Sequence, residues 1–439
     1  MSMVPSRPVP YGRSDYENLV DDAEFQEFQA ELERLSEKRD ECFKSGNKIR
    51  PLALRAIYHL HRGELSQVTQ LHADCVTLMT AVMAKVSDNT QLRGILEHCM
   101  EAFITSSMFL HFLDTGLILQ KSALPLVATN TEYLSGLCGF AKELERYAAA
   151  RATHRDVLSV ILCRDVVEVI NSQMMQFDFR NSPLRRKYDG LKYAVKRLQD
   201  ILYELSLTDF EEAKCLTTGQ HTPQEASTLM DVAEMEQIRM QVEEYDATRD
   251  AIIKRSRDIT KCSKNAIYCL HRDDSKKAEV QLSEAKTAAE ELMPHILADR
   301  TLRFGSFEGG LEEYAEALIF QNFLKSGTIM PKKQIPLVEL TEYIGGLVDF
   351  TGEVGRYAVA KATRREIQAV ERCHAVLDRL SGEMLLLRVN SQMAKKAEAL
   401  ATNLRKLEIV LYELSLATAG KRTKSESTEP PSASKEDME

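Results

Sequence analysis

The run Thr131-Glu-Tyr-Leu-Ser-Gly-Leu-Cys-Gly-Phe140 returns 210 residues later as Thr341-Glu-Tyr-Ile-Gly-Gly-Leu-Val-Asp-Phe350. Past the second occurrence the apolar side chains Tyr343, Ile344, Leu347, Phe350, Val354 and Tyr357 keep intervals of three and four, which predicts a helix with one face against a core. Two further matches lie at almost the same displacement. Ala56-Ile-Tyr-His-Leu-His-Arg62 recurs as Ala266-Ile-Tyr-Cys-Leu-His-Arg272, and Leu202-Tyr-Glu-Leu-Ser-Leu207 as Leu411-Tyr-Glu-Leu-Ser-Leu416. Three ordered matches at one offset mark a tandem duplication. The copies read as residues 24–210 and 234–418. Between them, 211–233 holds the breaker-rich Thr217-Thr-Gly-Gln-His-Thr-Pro223 and reads as a linker. The ends, 1–23 and 419–439, have little to bury and are expected to be disordered.

An all-α fold follows from the rest of the 439 residues. Only 19 Gly and 12 Pro are present, too few turn formers for a many-stranded sandwich or barrel. Leu184, Tyr188, Leu191, Val195, Leu198, Leu202 and Leu205 form another helical stripe. Six or seven helices per copy are expected. Thr131 and Thr341 are candidate N-caps, Pro125 and Pro336 sit in matching connections, and Pro51 should kink or break the helix around it. His61 and His271 recur at a helix end, near its last carbonyls, and Met174 and Met175 read as core.

Composition narrows the function. The formal charge of −9 argues against a uniformly basic coat on duplex DNA. Nine scattered Cys without a CxxC pair indicate neither disulfides nor zinc, and so a reduced compartment, cytoplasmic and also nuclear. No apolar run reaches membrane-spanning length, and the N-terminus lacks a signal-peptide core. Phosphate-loop, nucleophile-elbow, HExxH and dinucleotide motifs are missing.

The two copies differ in their acids. Gapless alignment sets Glu313 against Ala102, Glu316 against Thr105, Asp349 against Gly139 and Glu353 against Glu143. Glu313 and Glu316 are three apart, Asp349 and Glu353 four apart, so each pair shares a helix face. Should the two helices pack together, four carboxylates converge and repel unless a cation or shared protons join them. Hard oxygen ligands suit Mg²⁺, or Mn²⁺, for phosphodiester chemistry. On spacing alone, such pairs usually form a solvated acidic face. Arg185, Arg186, Lys187, Lys192, Lys196 and Arg197 crowd what reads as one helix of the first copy, where the second has Ala394, Lys395, Lys396, Ala401, Arg405 and Lys406. Such a run can hold nucleic-acid phosphates or a partner.

The segment Leu184-Arg-Arg-Lys-Tyr-Asp-Gly-Leu-Lys-Tyr-Ala-Val-Lys196, with Tyr133-Leu-Ser-Gly136 and Glu143, resembles the translin family. The second copy is similar to its factor-X branch through Lys254-Arg-Ser-Arg-Asp-Ile-Thr260, Leu270-His-Arg272, Leu311-Glu-Glu-Tyr-Ala-Glu-Ala317 and Leu347-Val-Asp-Phe-Thr-Gly-Glu353. Phe25-Gln-Glu-Phe-Gln-Ala-Glu-Leu-Glu33 and His61-Arg62 give the first copy factor-X character as well. The family's arginine–histidine cluster is unmatched, with only Arg93 and His98 as candidates.

The resemblance implies two helical bundles that assemble into a hollow barrel of eight units, either from four fused chains or with separate translin subunits. It implies a Mg²⁺-dependent endoribonuclease of single-stranded RNA, of the kind that clears passenger strands in RNA interference or trims transfer-RNA precursors. Glu313, Glu316, Asp349 and Glu353 match its catalytic acids, with Glu316, Glu353 and Asp349 as metal ligands. The rival expectation is a non-catalytic protein that binds single-stranded RNA or single-stranded DNA.

Overall fold

The computed structural model describes residues 19–86, 90–180, 182–207, 228–387 and 391–425, and among them no strand occurs. The first copy carries α1 (Asp22–His61), α2 (Leu65–Val86), α3 (Thr90–Ile95), α4 (Glu97–Thr115), α5 (Asn130–Thr153), α6 (Val157–Met174), α7 (Pro183–Tyr188) and α8 (Leu191–Ser206). The second carries α9 (Val232–Leu270), α10 (Ser275–Ala298), α11 (Ser306–Ser326), α12 (Leu340–Thr363), α13 (Ile367–Leu386) and α14 (Ser391–Ser425). No described helix is long and apolar enough to cross a membrane.

Two compact units form, and they differ from the linear copies. One is Ser36–Arg249; the other joins Asp250–Glu439 to the residues up to Leu35. The boundaries fall inside the long helices α1 and α9, so each copy lends its first helical turns to the unit built mainly from the other. The loan is symmetric in detail. Glu234 Oε2 and Oε1 accept the backbone N–H groups of Lys121 and Ser122 at 2.8 Å each. In the other unit Glu24 Oε1 accepts the N–H of Lys333 at 3.4 Å. Leu229 O receives Ile118 N–H, as Leu19 O receives Ile329 N–H. Phe28 on the lent arm packs edge-on against Tyr343 at 5.5 Å, and Met235 and Ile238 enter the first unit's core.

The stripes read from sequence face the interior: Leu184, Leu191, Leu198, Leu202 and Leu205 are buried, as are Tyr343, Ile344, Leu347, Phe350 and Val354. Met174 is core, but Met175 lies 65% exposed, because α6 ends between them. The helix caps stand two residues before Thr131 and Thr341. Thr129 Oγ1 accepts Glu132 N–H at 3.1 Å while Glu132 returns the bond to Thr129 N–H, and Glu339 N–H likewise meets Glu342. Pro51 leaves α1 unbroken. Its missing donor is a single bond, and fully buried Ile49 and Ala53 on either side anchor the helix by packing. The basic stretch read as one helix is two, α7 and α8, parted at Asp189-Gly190. Ala399 stands at the position of Gly190, and there α14 runs through.

Residues 19–23, expected to be disordered, pack instead: Leu19 and Val20 are buried and Asp22 opens α1. Residues 419–425, assigned to the tail, belong to α14. The remaining expectations of disorder, and most of the linker, concern 1–18, 208–227 and 426–439, which lie outside the described residues.

Candidate active site

The acids of the second copy stand on α11 and α12, helices held unusually close by two glycines. A Cβ at Gly346 would sit 2.5 Å from Glu312 O and 2.8 Å from both Ala315 Cβ and Glu316 N; one at Gly345 would meet the Glu312 side chain at 2.6 Å. Only a residue without a side chain permits that approach. It sets Glu313 and Glu316 of α11 beside Asp349 and Glu353 of α12, on the wall of one cavity of about 690 Å³ that Lys264, Tyr268, His271 and Arg272 of α9 and its following turn complete.

The four carboxylates are not equivalent. Lys264 Nζ reaches Glu313 at 3.0 Å. Lys396 Nζ bridges Asp349 at 2.9 Å and Glu312 at 2.8 Å. Glu353 Oε2 lies 2.5 Å from His271 Nε2 and 3.0 Å from Arg356. Glu316 is 8% exposed, and no hydrogen bond or ion pair among the described residues engages it. Burial pushes its carboxyl up to about 8, the charges of Glu313, Asp349 and Glu353 add to the rise, and Lys264 opposes it. At neutral pH the metal-free chain therefore keeps a proton there.

A divalent cation fits this donor set chemically. Buried carboxylates that repel one another are relieved by a hard cation, and Glu316 has no other partner. The side chains do not form a ready chelate, however: among the described residues no three His, Cys, Asp or Glu groups are gathered closely enough to hold an ion. Two lysines and an imidazole already engage three of the acids, and binding would require those pairs to yield.

The equivalent place in the first copy lacks three of the acids. Thr105 replaces Glu316 and its hydroxyl donates to Gly136 O at 3.2 Å. Gly139 replaces Asp349, and a Cβ there would stand 2.4 Å from Thr105 Oγ1. The one acid common to both copies, Glu143, meets His61 at 2.8 Å as Glu353 meets His271. Both imidazoles thus bind a carboxylate of the neighbouring helix instead of the helix-end carbonyls, and each ring packs on a phenylalanine at 4.8 Å, Phe109 or Phe320. The pair was visible in sequence as a His and a Glu retained together. Lys396 and Lys264 carried no such signal, since nothing local distinguishes them from other surface lysines.

The basic residues of the first copy lie on α7 and α8. Lys187 is paired with Glu101 at 2.7 Å and Arg185 with Asp189 at 3.2 Å; the Lys192 ammonium lies 5.2 Å from the Tyr193 ring centre. Arg186, Lys196 and Arg197 are exposed. Arg93 is a structural clamp, donating to Glu132 and to Val127 O, and His98 approaches Glu101 at 3.5 Å. Arg303 repeats that clamp in the second copy, buried against Glu342 and Leu337 O.

Comparison with known proteins matches this duplicated design. A relative from Schizosaccharomyces pombe, Translin-associated protein X homolog, is 26% identical over 200 residues, 41% of this chain and 87% of its own. Translins from Mus musculus and Homo sapiens are 30% and 32% identical over 89 and 81 residues, 20% and 18% of this chain; those stretches span 39% and 36% of their own lengths. The solved structure of apo-NeC3PO is 21% identical with a TM-score of 0.39, covering 45% of this chain and 100% of its own. The Translin family profile matches twice, at residues 37–209 and 247–417, so the chain belongs to the translin family, with two tandem translin-like bundles.

Proposed function

We propose that this chain is a Mg²⁺-dependent endoribonuclease of single-stranded RNA, with Mn²⁺ as an alternative ion, and that its second copy carries the reaction. The supporting observation is Glu316: a buried, unpartnered carboxyl facing three further acids in an open cavity. Glu316, Glu353 and Asp349 would hold the cation, whose contribution is to acidify water and offset charge building on the phosphate. Glu313 or Asp349 accepts the proton of the attacking water, as a carboxylate within reach of the cavity. Lys264 holds Glu313 in place through their 3.0 Å contact, and His271 does the same for the Glu353 carboxylate. The first copy supplies structural mass without chemistry, since Ala102, Thr105 and Gly139 stand where the second copy has acids. Four fused chains would make a particle of eight bundles, whose native mass would be four times 49.7 kDa; separate translin subunits would change that ratio.

The contacts of Lys264 and Lys396 favour a second reading, a non-catalytic binder of single-stranded RNA or DNA in which the lysines neutralise the acids permanently. A fluorogenic single-stranded RNA assay with Mg²⁺ decides between them. Cleavage by the wild type that Glu316→Ala abolishes supports the enzyme; equal signal from both proteins supports the binder.

A further inference from the structure

One face of α9 carries positive charge at helical intervals: Lys254, Arg257, Lys261 and Lys264, followed on the same line by Tyr268 and, in the next turn, Arg272. All six side chains are exposed. Nearby Arg255 is already committed to Asp258 and Glu291, whereas no ion pair among the described residues takes up Arg257 or Lys261. These two border a groove of about 640 Å³ that shares Lys264 and Glu313 with the acidic cavity, so the two hollows adjoin. At the cavity end the Arg272 guanidinium lies 4.2 Å from the Tyr268 ring centre, which leaves an aromatic surface 56% exposed beside the acids.

Comparing the copies supplies an independent observation. Asn47, Pro51 and Leu54 occupy the positions of Arg257, Lys261 and Lys264, while Tyr58 and Arg62 repeat the ring-and-guanidinium pair at 5.5 Å. Lys44 keeps the position of Lys254, but the three cations nearest the cavity are absent from the copy that lacks three of the four acids, and the structural pair is kept. A merely solvated face has no reason to change together with a pocket on other helices.

We propose that Arg257, Lys261 and Lys264 form a phosphate track that leads single-stranded RNA along α9 into the acidic cavity, with Tyr268 stacking a base at its mouth. The proposal rests on the endoribonuclease reading for its end point but not for its binding. Arg257 lies about 10 Å and Lys261 about 5 Å before Lys264 along the helix axis. That span matches about three phosphates of a stacked strand at ~3.4 Å each. As the strand arrives, its phosphate competes with Glu313 for Lys264 and frees that carboxylate toward the cavity. Arg257 and Lys261 act on binding and positioning, away from the reacting atoms.

The experiment uses the full chain and a fluorophore-labelled oligouridylate. Anisotropy is measured against salt in EDTA, where cation-dependent cleavage is off. R257A/K261A should weaken binding by roughly twentyfold near 0.1 M salt and reduce the slope of log K against log salt by about 1.4, the share of two phosphates. Y268A should weaken binding with the slope unchanged, as loss of stacking alone requires. K276A/K277A removes equal charge from the exposed start of α10 and should leave the slope as it is. Alanine at exposed helical sites preserves the fold, which thermal melts verify. In single-turnover cleavage with Mg²⁺, R257A/K261A should raise the half-saturating RNA concentration with the maximal rate kept. An unchanged slope in R257A/K261A, or no RNA binding by the wild type, overturns the track. Normal binding with no cleavage by the wild type overturns the nuclease reading and leaves the track standing.

Discussion

Glu316→Gln keeps the shape of the side chain and removes its ionisation, which turns the buried acid into a measurable quantity. In the unfolded chain this carboxyl titrates near 4.5; in the folded protein it is pushed up to about 8. At 1.36 kcal/mol per unit, that gap sets a ceiling of about 5 kcal/mol. The sign follows from proton binding. Below about pH 4.5 both states hold the proton, and the carboxyl contributes nothing to the pH dependence. Between about 4.5 and 8 the unfolded chain releases a proton that the folded chain keeps, so the wild type loses stability as pH rises; above about 8 the loss is complete. The variant escapes that loss. Its buried amide forgoes some hydrogen bonding, at about 1–2 kcal/mol, so the net gain at about pH 9 should be about 3 kcal/mol. Urea unfolding in EDTA across this range, followed by circular dichroism, gives the difference directly. A wild-type-to-variant gap that stays flat with pH, or a variant less stable at the alkaline end, would refute the account of Glu316. The more stable variant should also be inactive on RNA, since a strained functional group trades stability for chemistry.

Other outcomes follow from the same contacts. Mg²⁺ should raise the melting temperature more at about pH 8.5 than at about pH 6, because below about 8 the ion must displace the Glu316 proton; equal shifts at both would remove Glu316 from the binding set. Gly346→Ala forces a methyl group against the Glu312 carbonyl and Ala315, and should cost about 1–3 kcal/mol in a denaturant titration. Glu234→Ala leaves the Lys121 and Ser122 amides without their carboxylate and should destabilise the Ser36–Arg249 unit by about 2 kcal/mol, visible as faster amide exchange at those two residues.

Much of the fold was legible because helical periodicity and duplication are local or self-referential signals. The stripe from Tyr343 to Val354 needed only spacing, and the copies needed only each other. The exchanged arms were hidden, since an offset of 210 pairs Glu24 with Glu234 identically whether each arm serves its own copy or the other. Pro51 misled because backbone propensity is overruled when the flanking residues are fully buried. At the site, alignment found the four acids that line the cavity. It missed Lys264 and Lys396, whose contacts join different helices, and so missed that three of the acids are already engaged. Glycine carried information that went unread: Gly345 and Gly346 look like weak points in a helix, yet they admit the neighbouring helix, and Gly139 admits the Thr105 side chain where the second copy has an acid.

The exchanged arms bear on how such a duplicated protein can change over evolutionary time. Neither half of the gene encodes a complete bundle, because each finished bundle borrows its opening turns from the other half. Splitting the gene back into two free-standing products would therefore strip both of a segment they require, unless the products found each other again. Mutations in residues 19–35 are answerable to the partner bundle's surface, and those in 229–249 likewise, so the two halves are obliged to co-adapt even as one sheds its acids. Physical interdependence of this sort makes divergence safe: a half without the acids is still indispensable to the other's bundle.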